Sequence, residues 1–190
     1  MITLSVPGSL LLFGEYCILE QGMKGLSLGV EPRLYLTAEP AREWNIIAHG
    51  PRTPAYFTIV ANSDMEIPLV KQVIDTNEGC YSWASPDIFQ AVIEQFIKRE
   101  CKNPFLLSHP YTITIDSSRF YHQGKKLGLG SSAGVVVVWS AFLFLLACNG
   151  SLTRERLLDF CIPVHKIIQQ GKGSGYDVLT SVLGSLLCFS

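Results

Sequence analysis

The chain has no excess of charge of either sign. Lys and Arg number 15 and Asp and Glu 16, so the net charge of the 190 residues is -1. This balance gives no reason to expect general binding to nucleic acid or to an acidic membrane surface. Charged residues make up only 16% of the chain and hydrophobic residues 48%, which excludes a disordered chain and indicates a densely buried globular domain.

Long apolar runs, leader features and repeats are also missing. The longest apolar stretch, residues 133–148, is too short to span a membrane comfortably and includes Gly134 and Ser140, so a buried helix is the better interpretation. The N-terminus has no basic segment ahead of an apolar one, and no signal peptide is expected. Because the composition is uniform, without linkers or low-complexity segments, we expect one domain over residues 1–190.

The six cysteines form no Cys-x-x-Cys pair, and the four histidines show no zinc spacing with them. No zinc site is therefore predicted. Several cysteines lie in apolar runs and are expected to be small core residues. Free thiols favour a reducing, cytoplasmic location.

The first sixty residues are predicted to be mostly β. Residues 2–6 form a strand that Pro7-Gly8 should break, residues 25–30 and 33–38 form two further strands, and residues 44–48 and 55–61 form a hairpin.

Helices are predicted in the second half of the chain. Ser85-Pro86-Asp87 is a typical helix start, and Thr153 is a candidate cap for a later helix that contains Pro163. Residues 111–115 and 184–190 are predicted strands.

The most informative segment is residues 125–134, which has the sequence KKLGLGSSAG and stands directly before the apolar residues 135–148. Such a pattern is typical of a glycine-rich loop that opens a buried helix. The helix N-terminus offers unpaired N–H groups and a positive dipole, glycines let a ligand approach the backbone, and serines add hydroxyls. The segment therefore predicts an anion site, most often one for phosphate.

The loop by itself fits other patterns as well. As Gly-x-Gly-x-x-Ala it matches a dinucleotide fingerprint, and as Gly-x-Ser-x-Gly it matches a hydrolase nucleophile elbow, with Ser132, Asp159 and His165 in the hydrolase order. Both sites need a core strand directly before the loop, whereas residues 122–126 are polar. A helix start at which glycine and serine merely act as caps is a further alternative.

Two other segments join this loop in a recognisable set. Three motifs of the GHMP kinases are resembled, in order and approximate spacing, by residues 7–19 (PGSLLLFGEYCIL), 125–138 and 171–181 (GKGSGYDVLTS). Within that family the three segments are most similar to the phosphomevalonate kinase branch. The resemblance covers nearly the whole chain. It implies an α+β fold with a mixed sheet backed by helices, in the ribosomal protein S5 domain 2-like arrangement. It also implies an ATP-dependent small-molecule kinase, with phosphomevalonate as the expected acceptor.

The same resemblance assigns roles to individual residues. Asp177 would orient or deprotonate the acceptor oxygen, and Ser132 would bind Mg²⁺. The residues expected to hold ATP are Lys126, Gly128, Leu129, Gly130, Ser131, Ser132, Ala133 and Gly134. Those expected to contact the acceptor are Ser9, Glu15, His165, Lys172, Ser174 and Gly175.

Three departures from the family pattern bear on activity. Ser9 stands where the first motif usually carries a lysine, and His165 and Lys166 stand where a magnesium-binding glutamate can occur. The chain ends at Ser190, before the family's C-terminal domain, so we expect an N-terminal half whose partner is a second copy or that missing half. The alternatives are a non-catalytic binding or scaffold module, or a GHMP kinase for mevalonate, homoserine or a sugar.

Overall fold

One mixed sheet and four helices make up the part of the chain described in the structure, a computed structural model, which comprises residues 1–14, 24–61, 66–73, 85–100, 109–147 and 152–189. The strands are β1 (Ile2–Phe13), β2 (Gly25–Pro40), β3 (Asn45–His49), β4 (Ala55–Val60), β5 (Leu69–Val73), β6 (Tyr111–Asp116), β7 (Tyr121–His122), β8 (Lys125–Lys126) and β9 (Leu186–Phe189). The helices are α1 (Asp87–Arg99), α2 (Ser131–Ala147), α3 (Arg154–Ile168) and α4 (Tyr176–Leu183), and a 3₁₀ turn covers Ser118–Phe120.

The main sheet has the strand order β1-β2-β6-β3-β4-β5, and β9 pairs with the first residues of β2 on the edge opposite β1. Strands β3 and β6 run parallel, whereas the other neighbouring strands of this sheet are antiparallel. Strands β7 and β8 form a separate small hairpin. The mixed sheet backed by helices confirms the predicted fold class.

The predicted break at Pro7-Gly8 is wrong. Strand β1 continues through it to Phe13, with a shift of register against β2 between Pro7 and Gly8. Strand β1 lies at the edge of the sheet, where a proline, which has no N–H to donate, is tolerated. A β-bulge can accommodate the shift of register. Strand β2 likewise continues from Gly25 to Pro40, where two strands were expected.

Helix starts follow the local signals. The Ser85 hydroxyl accepts a hydrogen bond from the Asp87 N–H at 3.2 Å, and the Thr153 hydroxyl accepts one from the Arg156 N–H at 3.2 Å. Helix α3 runs through Pro163. Helix α2 begins at Ser131, four residues before the apolar run on which its prediction rested. The sequence also favours a helix end at Asn149-Gly150 and a short strand at Ile18-Leu19, and both lie outside the described residues.

Helix α2 is the centre of the core. It is apolar on all sides, and it packs against α1, α3, α4 and strands β1 and β2. Its Trp139 ring stacks on Phe142 with centroids 5.6 Å apart, and Phe142 in turn contacts Trp44 and Tyr111 edge-on. An all-round apolar helix is stable only when it is enclosed, so the position of α2 is set by the layers around it.

The thiol prediction is confirmed at Cys161, which is buried and whose pKa burial raises to about 12. Cys188 is exposed, and the other four cysteines lie outside the described residues. Among the helices described, none combines the length and the apolar character needed to cross a membrane.

Phe142→Ala tests the enclosed core. Phe142 is 0% exposed, so the substitution should lower the free energy of unfolding by about 3–5 kcal/mol, measured by urea denaturation. Phe13→Ala is the matched control, because Phe13 is 74% exposed and the same truncation there should change the free energy by less than about 1 kcal/mol. Equal losses in the two variants would contradict this packing.

Candidate functional site at the glycine loop

The glycine loop leads directly into α2. Gly128 and Gly130 have φ angles of +73° and +68°, which favour glycine, and the Gly134 N–H donates to the Gly130 carbonyl at 2.9 Å as the helix begins. The N–H groups before Gly134 therefore have no partner within the helix. They lie at the positive end of a 17-residue helix, which is a favourable place for an anion.

Ser9 of strand β1 joins this loop to helix α4. Its backbone N–H donates to the Leu129 carbonyl at 3.0 Å, and its hydroxyl donates to the Asp177 carboxylate. A Cβ atom at Gly130 would lie 2.2 Å from Ser9 Oγ and 3.1 Å from Asp177 Oδ1. The glycine at 130 is therefore required both by its φ angle and by the close approach of these two side chains.

Helix α4 is fixed so that Asp177 faces the loop. Gly175 precedes the helix with a φ of +79°. Within the helix the Thr180 hydroxyl donates to the Tyr176 carbonyl at 2.8 Å, so the Ser27 hydroxyl, 2.7 Å away, donates to Thr180 Oγ1. Ser27 and Thr180 are both fully buried, and this bond ties α4 to strand β2 beneath it.

His165 approaches the loop from helix α3. Its Nε2 lies 3.1 Å from Ser132 Oγ, and the residue is 2% exposed. Burial lowers the pKa of His165 below its ordinary value, and the nearby negative charge of Asp177 opposes part of this effect. The imidazole is therefore neutral at neutral pH. The structure thus brings four predicted residues, Ser9, Ser132, His165 and Asp177, to one place.

The other predicted residues surround this point. Ser131, Ala133 and Gly134 are buried in the first turn of α2, where Ala133 belongs to the core. Lys126, Lys172 and Ser174 are exposed, and Glu15 lies outside the described residues.

A cavity of about 190 Å³ lies beside the N-terminus of α2. Lys126, Ser131 and Ser132 line it, as predicted site residues. Its remaining lining comes from separate elements of the fold, namely Ala48, Ser85, Ile88, Phe89, Ile115, Ser117, Tyr121 and Val135. Sequence reasoning missed these residues as site residues, and no local motif marks them, since they meet only through tertiary packing.

The dinucleotide and hydrolase interpretations of the loop are wrong. Both need a core strand directly before it, but the preceding strand β8 has two residues and belongs to the small hairpin. Although Ser132 and His165 are hydrogen-bonded, Asp159 is exposed on α3 whereas His165 is buried, so the proposed triad does not assemble.

Gly130→Ala and Gly128→Ala form a matched pair that tests the loop. Both positions have a positive φ, which costs alanine about 1–2 kcal/mol. A Cβ atom at Gly128 meets nothing within 4 Å, whereas one at Gly130 meets Ser9 and Asp177, and such overpacking adds about 1–3 kcal/mol. Urea denaturation should show the larger loss for Gly130→Ala, and equal losses would contradict the contact.

The lowered pKa of His165 predicts a loss of stability in acid. The unfolded chain has the ordinary value of 6.5 and binds the proton first as the pH falls, so the contribution of neutral His165 is present above that pH and is lost below it. The free energy of unfolding should therefore fall between pH 7.5 and 5.5 less steeply in His165→Gln than in the wild type. His122→Gln, at an exposed histidine, is the control. An unchanged slope in His165→Gln would contradict the prediction.

Comparison with known proteins places this geometry in a family. The family described as GHMP kinases N terminal domain matches residues 87–185. The phosphomevalonate kinase of Saccharolobus solfataricus is 24% identical over 188 residues, covering 98% of this chain and 49% of that protein.

Solved structures agree in fold. Streptococcus pneumoniae phosphomevalonate kinase in complex with phosphomevalonate and AMPPNP matches 99% of this chain and 49% of its own, with a TM-score of 0.68 and 21% identity. Methanococcus jannaschii mevalonate kinase matches 100% of this chain and 53% of its own, with a TM-score of 0.67 and 17% identity. The chain thus spans about half the length of the relatives that it matches. Because the family match covers just over half of the 190 residues, the chain belongs to the GHMP kinase family as an N-terminal domain.

Proposed function

We propose that this domain takes part in phosphoryl transfer from ATP to a small acceptor, and that the acceptor is phosphomevalonate. One observation carries the proposal: the Asp177 carboxylate meets the glycine loop at Gly130, where a Cβ atom would lie 3.1 Å from its Oδ1. A cradle for anions and a carboxylate able to accept a proton therefore share one site. Phosphoryl transfer depends chiefly on such positioning and on charge neutralisation.

The loop is proposed to hold the phosphates of ATP. Its backbone N–H groups and the α2 dipole attract negative charge, and the glycines at 128 and 130 leave the backbone open to close approach. The adjoining cavity of about 190 Å³ combines apolar lining with serine hydroxyls, so it suits the nucleoside part of ATP.

Mg²⁺ binds oxygen ligands and usually retains substrate phosphates among them. Among the described residues no cluster of three or more His, Cys, Asp or Glu side chains could hold a metal by itself. The Ser132 hydroxyl and the Asp177 carboxylate supply oxygens at the loop, which fits an ion carried mainly by the nucleotide. When bound, Mg²⁺ would neutralise charge on the phosphates.

Asp177 is the proposed base. Its Oδ1 accepts the Ser9 hydrogen bond, and Oδ2 has no hydrogen-bond partner within the described part of the chain. Oδ2 is therefore available to orient the acceptor hydroxyl and to receive its proton while the acceptor oxygen attacks the γ-phosphorus and ADP leaves. His165, being neutral, adds no positive charge beside this carboxylate.

The acceptor assignment is supported by the relatives and by exposed cations. The S. pneumoniae relative was solved with phosphomevalonate and AMPPNP. Lys172, three residues before Gly175, is exposed in the loop that precedes α4, where an ammonium group can meet the phosphate of a phosphorylated acceptor.

Asp177→Ala tests the proposed base. Transfer of ³²P from ATP to phosphomevalonate should fall by about 100-fold or more, because general-base catalysis is lost, while the ATP dissociation constant measured by calorimetry stays within about threefold. Asp159→Ala is the control, since Asp159 is exposed on α3 and should retain full activity.

Mevalonate, homoserine and galactose, assayed in parallel, test the choice of acceptor. Preference for one of them would correct the acceptor and keep the mechanism. ATP binding without transfer to any of the four would instead favour the non-catalytic module, and unchanged turnover in Asp177→Ala would remove Asp177 from the mechanism.

A further inference from the structure

Ser9 makes two hydrogen bonds that leave strand β1 in different directions. Its N–H donates to Leu129 in the glycine loop, and its hydroxyl donates to Asp177 in helix α4. Ser9 itself is 1% exposed, so its hydroxyl is shielded from water, whereas Asp177 is half-buried. One small side chain thus connects the loop and the proposed base.

Gly130 lies directly against the Ser9 hydroxyl. The Gly130 position packs so closely on Ser9 that a Cβ atom there would lie 2.2 Å from Ser9 Oγ. The loop backbone, the hydroxyl and the carboxylate therefore form one packed unit.

We propose that Ser9 is a positioning residue for Asp177, and that it acts through this carboxylate and not on the acceptor. The inference rests on the proposed function, because positioning has a kinetic meaning only if Asp177 serves the reaction. The neutral hydroxyl binds Oδ1, and Oδ2 has no hydrogen-bond partner among the described residues. A hydroxyl at residue 9 then supports the geometry of the base without neutralising its charge.

Three variants of the 190-residue chain separate the effect of the Ser9 hydroxyl from the effect of side-chain size. Ser9→Ala removes the donor, Ser9→Thr keeps a hydroxyl, and Ser9→Val has the shape of threonine without the hydroxyl. Ser9→Ala and Ser9→Val should lower kcat for transfer to phosphomevalonate by about tenfold or more, because misplaced reacting groups lose rate steeply. The calorimetric dissociation constant for ATP should change less than about twofold, and Ser9→Thr should retain more of the wild-type kcat than Ser9→Val.

A thermal-unfolding cycle of Ser9→Ala, Asp177→Ala and the double variant measures the contact without any need for turnover. If the two side chains interact, the double variant should lose less Tm than the sum of the two single losses.

Wild-type kcat in Ser9→Ala, equal impairment in Ser9→Thr and Ser9→Val, or strictly additive Tm losses would each overturn the proposal. If the wild-type chain transfers no phosphate, the proposed function fails separately. The thermal cycle then tests the contact between Ser9 and Asp177 by itself: additive losses overturn this contact, and coupled losses support it.

Discussion

The enclosure of helix α2 is the constraint on which the rest of the structure depends. A helix that is apolar on every side is stable only between layers, and the sheet, α1, α3 and α4 provide those layers. With the helix packed in this way, the loop at its N-terminus lies beside Ser9 of β1 and Asp177 of α4. The unpaired N–H groups, and with them the glycine loop, are thus positioned by core packing and not by the loop itself.

Two side-chain hydrogen bonds then hold the site residues in place. The bond from Ser27 to Thr180 holds α4 on the sheet, and the bond from Ser9 to Asp177 holds the carboxylate against the loop. Because these hydroxyls are shielded from water, each bond constrains its partner strongly and would be costly to leave unmade. The site combines a fixed carboxylate, a neutral histidine and an anion cradle, a set suited to transfer of a charged group.

Local signals in the sequence predicted much of the fold. Alternation revealed the hairpin of β3 and β4 and strand β6, while Ser85 and Thr153 marked helix starts that the structure confirms. The wrong strand predictions applied a local sequence rule at positions where the tertiary structure overrides it. Pro7 does not end β1, because an edge strand with a shifted register needs no donor there.

The sequence by itself predicted an anion-binding loop, because such a loop requires glycines, serines and a following helix in direct succession, and these are local requirements. It also predicted Asp177 as the catalytic aspartate, from the resemblance of residues 171–181 to a motif of the family. Only the tertiary structure decided that Ser9 contacts Asp177, that His165 contacts Ser132, and which residues line the cavity beside them. These pairs are separated by many residues along the chain and lie on different elements. Their proximity follows from how the elements pack around α2, which no local pattern encodes.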